Sequence, residues 1–250
     1  MKTVARDHPI DLSRGAAPPA AGLDSLAPVA RPTVQDIVHG ELRRLLIQGA
    51  IDPGQTLKIR DLAERLSVST MPVREAFARL VSEGALEALP NRTVRVPPLT
   101  RARLDDLERA RALIEGELLA CALPALAADD AALTELERLT RAYDDLAPPA
   151  VDASAETADL NHAFHFAIYR AAGSVVLLPI VESLWLQSGP VIRRAAALFP
   201  RAERAGATEH HRAIIRAVRA GDAAAARAAL SADIGRAFAL VRASLAEDER

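Results

Sequence analysis

Residues 53–84 read PGQTLKIRDLAERLSVSTMPVREAFARLVSEG, and this stretch decides the fold. Pro53-Gly54 is a turn signal; Leu57, Leu62, Ala63 and Leu66 follow at helical spacing, which predicts a short helix from Leu57 to about Leu66. After Ser67-Val68 a second helix is predicted over 70–82, with Val73, Ala76, Phe77 and Leu80 inward, Ser69 as cap and Pro72 tolerated in the first turn. Gly84 ends it. A pair of short helices across a tight turn, the second opening in small polar residues and carrying arginines, suits insertion into a DNA major groove. On that reading Ser69 and Thr70 bond phosphate or base edges, Met71 touches a thymine methyl, and Arg74 with Arg60 grips the backbone or a guanine. A solvated arginine face on a plain helical domain accounts for the same periodicity, and spacing alone leaves the two readings level.

On the N-terminal side, Val34, Ile37, Val38, Leu42, Leu45 and Leu46 recur at three- and four-residue steps between a capping Thr33 and a stop at Gly49, so another helix precedes the pair. Residues 1–32, with APPAAG and APVARPT, keep no period and read as a mobile arm. On the C-terminal side, Leu86–Leu89 and Thr93–Val96 flank Pro90-Asn91-Arg92 as a hairpin. Pro97-Pro98 marks a stiff joint. From Thr100 onward only helical periods occur, at about 100–125, 129–146, 156–172, 175–197, 203–219 and 222–246. The expected fold is mainly α: three helices and a β-hairpin over 33–97, then an all-α antiparallel bundle over 98–250.

Composition narrows the partners. The 250 residues carry 31 Lys+Arg against 33 Asp+Glu, a net charge of −2, so any nucleic-acid surface has to be local. The single Cys121 excludes an internal disulfide and a thiolate zinc framework, and it fits a reducing cytoplasm. No apolar run approaches the roughly 20 residues of a membrane helix, and MKTVARDHPIDLSRG lacks the apolar core of a secretory signal. A cytoplasmic protein without a membrane partner is expected.

Within the bundle, Asn161 and His165 lie four apart and share a helix face, while His211 and Asp233 fall on two later helices. Three helices can deliver these four donors to one point, a set that suits zinc, nickel, manganese or iron. Hydrogen-bonded core or surface histidines are the plainer reading. Arg111 and Glu115, also four apart, read either as an intrahelical ion pair worth about 0.3–0.5 kcal/mol or as part of a cavity.

The order Pro53-Gly54, Leu57, Leu62-Ala63, Leu66, Val68-Ser69, Pro72-Val73-Arg74-Glu75-Ala76, Leu80, Glu83-Gly84 and hairpin resembles the amino-terminal domain of GntR-family bacterial transcription regulators. The resemblance covers residues 33–97 and implies a winged helix-turn-helix, with Asn91 and Arg92 on the wing beside the minor groove or backbone. Thr70 and Met71 stand where the family usually has arginine and threonine, and Pro90-Asn91-Arg92 stands where its wing tip commonly has glycine. Asn161-x-x-Phe164-His165, Ala171-Ala172-Gly173, His211-Arg212-x-Ile214 and Gly221-Asp222 are similar to the helical ligand-binding (FCD-type) domain of the FadR-like branch. That domain often holds a divalent metal through one aspartate and three histidines, and the corresponding set here is Asn161, His165, His211 and Asp233. An amide at 161 is a weak transition-metal ligand, which implies lower affinity or a harder metal. Arg111, with Glu115, matches a family position facing the ligand cavity, where it would grip an effector carboxylate; Trp185 and Gln187 would line the same cavity.

The resemblance implies a homodimeric repressor on a near-palindromic double-stranded operator, repositioned by a small organic acid through the Pro97-Pro98 joint. One rival is a metal-dependent hydrolase or lyase built on His165, His211 and Asp233, although no general acid or base stands in a convincing motif. Another is a helical module whose winged fold binds protein. The non-enzyme reading leads.

Overall fold

A computed structural model describes residues 32–90, 93–146, 153–198 and 208–248, and from Thr33 onward the chain forms one compact unit. The arm expected over 1–32 lies, Pro32 apart, outside the described residues, as do Asn91 and Arg92 of the wing tip. Helix α1 (Val34–Ile47) starts in a capping box: Thr33 Oγ1 accepts from the Asp36 amide at 3.1 Å, and the Asp36 carboxylate accepts from the Thr33 amide at 3.1 Å. It ends where Gly49 takes φ +60° and the Ala50 amide reaches back to the Leu45 carbonyl.

Strand β1 (Thr56–Lys58), helix α2 (Ile59–Arg65) and helix α3 (Thr70–Ser82) follow, then β2 (Glu87–Leu89) and β3 (Thr93–Arg95). The hairpin expected from sequence is therefore two strands of a three-stranded antiparallel sheet in the order β1-β3-β2. Leu57 and Lys58, expected to open a helix, instead lie with Thr56 in strand β1: Leu57 pairs with Val94, and the Val96 amide donates to the Gln55 carbonyl at 3.0 Å. A three-residue strand satisfies the open edge of β3, and Leu57 still packs against the core, so the periodicity could not tell strand from helix turn.

Val38, Leu42, Leu46, Val73, Ala76, Phe77, Leu80, Val94 and Val96 form the core of this unit. Residues 96–100 are extended and lead into α4 (Arg101–Ala127), α5 (Asp130–Asp145), α6 (Ala153–Ala171), α7 (Leu177–Leu198), α8 (Glu209–Arg219) and α9 (Ala223–Asp248). Here α4 packs on α9, α6 and α7, and α8 on α9, around Leu104, Leu118, Leu119, Phe164, Tyr169, Trp185, Ile214 and Phe238. The sequence and its fold class agree: a winged helix-turn-helix followed by a helical bundle.

The two cores meet along α7. Leu186 of α7 is buried in the first core, whereas its neighbour Trp185 is buried in the second. Helix α1 crosses α7 so closely that a Cβ on Gly189 would lie 1.7 Å from the Leu46 carbonyl oxygen, which only glycine permits. Polar contacts flank the crossing: Ser183 Oγ donates to the Glu83 carbonyl at 2.6 Å, Arg43 donates to Glu83 and to Glu182 at 3.1 Å each, and Gln48 donates to Asp159 at 3.0 Å.

Candidate functional site

The inner residues of α3 fix which way its other face looks. Val73, Ala76, Phe77 and Leu80 are buried, so Thr70, Met71 and Arg74 project outward, with Met71 57% exposed. Ser69 caps the helix through its backbone only, and its exposed side chain makes no capping hydrogen bond. Arg60 on α2 is also exposed, and neither Arg60 nor Arg74 has a carboxylate partner among the described residues. Small polar groups and unpaired guanidinium charge on a helix N-terminus can meet both base edges and phosphates.

In the bundle, α6 supplies His165, α8 His211 and α9 Asp233, each offering a ligand atom within 4.8 Å of the others. His165 Nε2 lies 3.1 Å from Asp233 Oδ2, and His211 Nε2 lies 4.0 Å from the same oxygen. Burial lowers the His211 pKa to about 3, so its ring is neutral and available as a ligand, and its buried Nδ1 has no hydrogen-bond partner. Phe164 stacks on that ring at 3.8 Å between centroids. Burial alone would raise the Asp233 carboxyl, but the hydrogen bond from His165 and the nearby Arg236, whose Nη2 donates at 3.2 Å, outweigh it and hold the group ionised. Two imidazoles and one carboxylate, with ligand atoms within 4.8 Å of one another, are a donor set that fits a divalent metal. Asn161 sits one turn before His165, partly exposed, and makes no hydrogen bond among the described residues. His210, beside the ligand candidate on α8, is partly exposed while His211 is 3% exposed.

Behind the cluster lies a buried polar chain. Tyr169, one turn after His165, places its hydroxyl 3.3 Å from His165 Nδ1 and donates to Glu115 Oε2 at 2.5 Å. Glu115 in turn accepts from Arg111 Nε at 2.6 Å and Nη2 at 3.2 Å. Burial and the Glu115 charge push the Tyr169 phenol well above its ordinary value, so it keeps its proton. Arg111 is 3% exposed and Glu115 0%, which replaces the surface ion pair by a buried one. The guanidinium also lies over the Trp185 ring, 4.5 Å from its centroid. One bidentate edge of Arg111 is thus already filled by Glu115, and a ligand carboxylate has to share it or use another edge. Trp185 Nε1 is buried without a hydrogen-bond partner.

Gln187 departs from the cavity expected of it. Two helix positions past Trp185 it faces away, donating to the Glu83 carbonyl at 3.3 Å and accepting from Arg103 Nη2 at 3.0 Å. It belongs to the seam between the cores. Tyr169 is the functional candidate missed in sequence, although its four-residue offset from His165 put both on one helix face.

An exposed helix N-terminus with unpaired arginine, joined to a helical core that carries a candidate metal cluster, is the arrangement of a one-component regulator with DNA-binding and effector domains. The profile of bacterial regulatory proteins of the gntR family matches residues 34–96, and that of the FCD domain matches residues 106–236. The chain belongs to the GntR family, in the group that carries an FCD domain. It is similar to the HTH-type transcriptional regulator McbR of Escherichia coli (strain K12), with 31% identity over 187 residues, 74% of this chain and 82% of that protein. The solved structure of E. coli McbR/YncC matches with a TM-score of 0.75 at 28% identity, covering 85% of this chain and 99% of that one. In the same organism, the Glc operon transcriptional activator is 30% identical over 62% of this chain and 66% of its own. The HTH-type transcriptional repressor GlaR is 32% identical over 58% and 66%.

Proposed function

We propose that this transcription regulator binds a near-palindromic operator as a homodimer in the cytoplasm, acts as a repressor, and is repositioned by a small carboxylate effector. In this reading residues 33–97 form the DNA-binding domain and 98–250 the effector and dimerisation domain. The observation that carries it is the N-terminal end of α3, where Ser69, Thr70, Met71 and Arg74 stand exposed, with Arg60 exposed on α2 and, among the described residues, no carboxylate partner on either arginine. The name of GlaR supports repression; that of the Glc relative records activation, and transcription from a bound promoter with and without the protein reads the sign.

His165, His211 and Asp233 would hold a divalent metal, with Asn161 as the nearest weak fourth donor. When bound, such an ion would supply Lewis-acid affinity for an oxygen of the effector. Arg111 would orient the same ligand beside Trp185. Differential affinity for two placements of the reading domains, about 1–3 kcal/mol, then changes operator affinity roughly 5- to 150-fold. The packed α7 seam gives that change a route alongside the Pro97-Pro98 joint.

The test is retention of genomic DNA fragments by the full chain at several salt concentrations. Wild type is expected to select a discrete set of fragments, and Arg74→Ala to weaken retention and lower the salt slope by about one. Equal retention by both proteins, or none by wild type, overturns the reading.

A further inference from the structure

We propose that Tyr169 is a positioning residue for the His165–His211–Asp233 centre: backed by Glu115, its phenol oxygen holds the hydrogen of His165 Nδ1 and thereby directs Nε2 at the metal. The inference rests on the metal reading above and concerns how this chain prepares one ligand.

The hydrogens available to each group fix the direction of these contacts. Glu115 is a carboxylate clamped by Arg111 at 2.6 and 3.2 Å, so it can only accept. The Tyr169 hydroxyl has one hydrogen, and the 2.5 Å contact gives it to Glu115. What the phenol has left for His165 Nδ1, 3.3 Å away, is a lone pair. That contact is a hydrogen bond only when Nδ1 carries the hydrogen. Across the ring, Nε2 faces another acceptor, Asp233 Oδ2, at 3.1 Å. The ring thus meets an acceptor at each nitrogen, and the phenol closes the Nδ1 side. With Nδ1 turned to the phenol, Nε2 beside Asp233 Oδ2 is the nitrogen that would hold a divalent ion.

The chain of donors therefore runs one way, His165 to Tyr169 to Glu115, with Arg111 anchoring its end. Arg111, Glu115, His165 and Tyr169 are each no more than 3% exposed, so water cannot substitute for a missing partner. A phenol backed by a carboxylate thus takes the place that a carboxylate or backbone carbonyl usually takes behind a metal-bound histidine. Tyr169 lies on the same helix face as His165, and α4 brings Glu115 to both.

Two measurements on the full-length protein test this. In Zn²⁺-loaded wild type, histidine ¹⁵N NMR is expected to show His165 with a slowly exchanging Nδ1 hydrogen and a metal-shifted Nε2. Tyr169→Phe, which keeps the ring, is expected to bind Co²⁺ about 10- to 100-fold more weakly than wild type and to lose the protected Nδ1 hydrogen. Its melting temperature in chelator is the control for a purely structural effect and should move little. Unchanged Co²⁺ affinity in Tyr169→Phe, or metal on His165 Nδ1 in wild type, overturns the proposal while leaving the metal centre standing. No metal uptake by wild type sinks both. Should Tyr169→Phe fail to fold, the wild-type NMR result decides alone.

Discussion

Gly189→Ala is the sharpest probe of the seam between reader and sensor. A Cβ at this position would lie 1.7 Å from the Leu46 carbonyl oxygen, 2.8 Å from the Leu46 carbonyl carbon and 2.9 Å from the Ile47 carbonyl oxygen. All three atoms are helix backbone, so no side chain can swing aside, and α1 has to move off α7 by about 1.3 Å to restore the roughly 3.0 Å minimum. The companion approach is as tight: a Cβ on Gly49 would meet the Gly189 carbonyl oxygen at 2.5 Å. Overpacking costs about 1–3 kcal/mol, with the upper end expected where backbone meets backbone, while alanine regains about 1 kcal/mol of helix propensity over glycine. The net expectation is a destabilisation of about 2 kcal/mol, read as a lowered urea midpoint. Gly116→Ala on α4 is the matched control. Its Cβ would meet only Arg227 Cγ, at 3.9 Å, so the same substitution there should stabilise by about 0.4–1 kcal/mol. If Gly189→Ala unfolds within about 0.5 kcal/mol of wild type, the close crossing of α1 and α7 is not what holds the two cores together.

Glu115→Gln removes the charge that offsets Arg111 in a site where both are buried, and a loss of about 3–5 kcal/mol is expected from thermal or urea unfolding; a loss under about 1 kcal/mol would show that Arg111 reaches another partner. His39 on α1 is 4% exposed, and burial first, then the charges of Arg79 and Arg43, depress its pKa below 6.5 against the pull of Glu83 at 3.4 Å. The unfolded chain therefore takes up this proton at higher pH than the folded one, so the contribution of His39 is complete above about pH 6.5 and is lost as pH falls below it. His39→Gln should flatten the fall in urea midpoint between about pH 7 and pH 5, and parallel profiles for the two proteins would contradict the assignment.

Much of this molecule was legible in sequence because helices announce themselves at short range. The inner faces of α1 and α3 follow three- and four-residue steps, and Gly49 and Gly84 stop them at positive φ. For His165, His211 and Asp233, residue type and helix assignment suggest the trio and the resemblance selects it, since nothing local ties three helices together. What escaped was set by tertiary contact. Strand β1 forms because β3, more than 30 residues later, has an edge to fill. Arg111 and Glu115 look identical to a surface pair at four-residue spacing, and only the packing of α4 buries them. Gln187 faces the seam because two positions past Trp185 lie on the far side of the helix, which its contacts and not its place in sequence reveal. Gly49 and Gly189 lie 140 residues apart, and no periodicity marks two glycines that make room for each other.

The placement of α7 bears on how sensing and DNA reading can be coupled. Trp185, 1% exposed, has its ring 5.3 Å from that of His165, while Leu186, also 1% exposed, completes the core beneath α3. Consecutive residues of one rigid helix thus serve both cores, and neither can shift along α7 by much without the other meeting a close-packed wall. On the same helix Ser183 and Gln187 hold the carbonyl of Glu83, the residue that ends α3. The far end of α3 is therefore tied to the element that walls the His165–His211–Asp233 cluster. Pro190 cannot donate to the Leu186 carbonyl, so α7 lacks one internal bond just where α1 crosses it, and bending there costs less than elsewhere along the helix. Pro97-Pro98, a stiff joint, is the covalent link between two cores that α7 also ties together by packing. A ligand that favoured one placement of the cores would need such a shared, close-packed element in order to change DNA affinity.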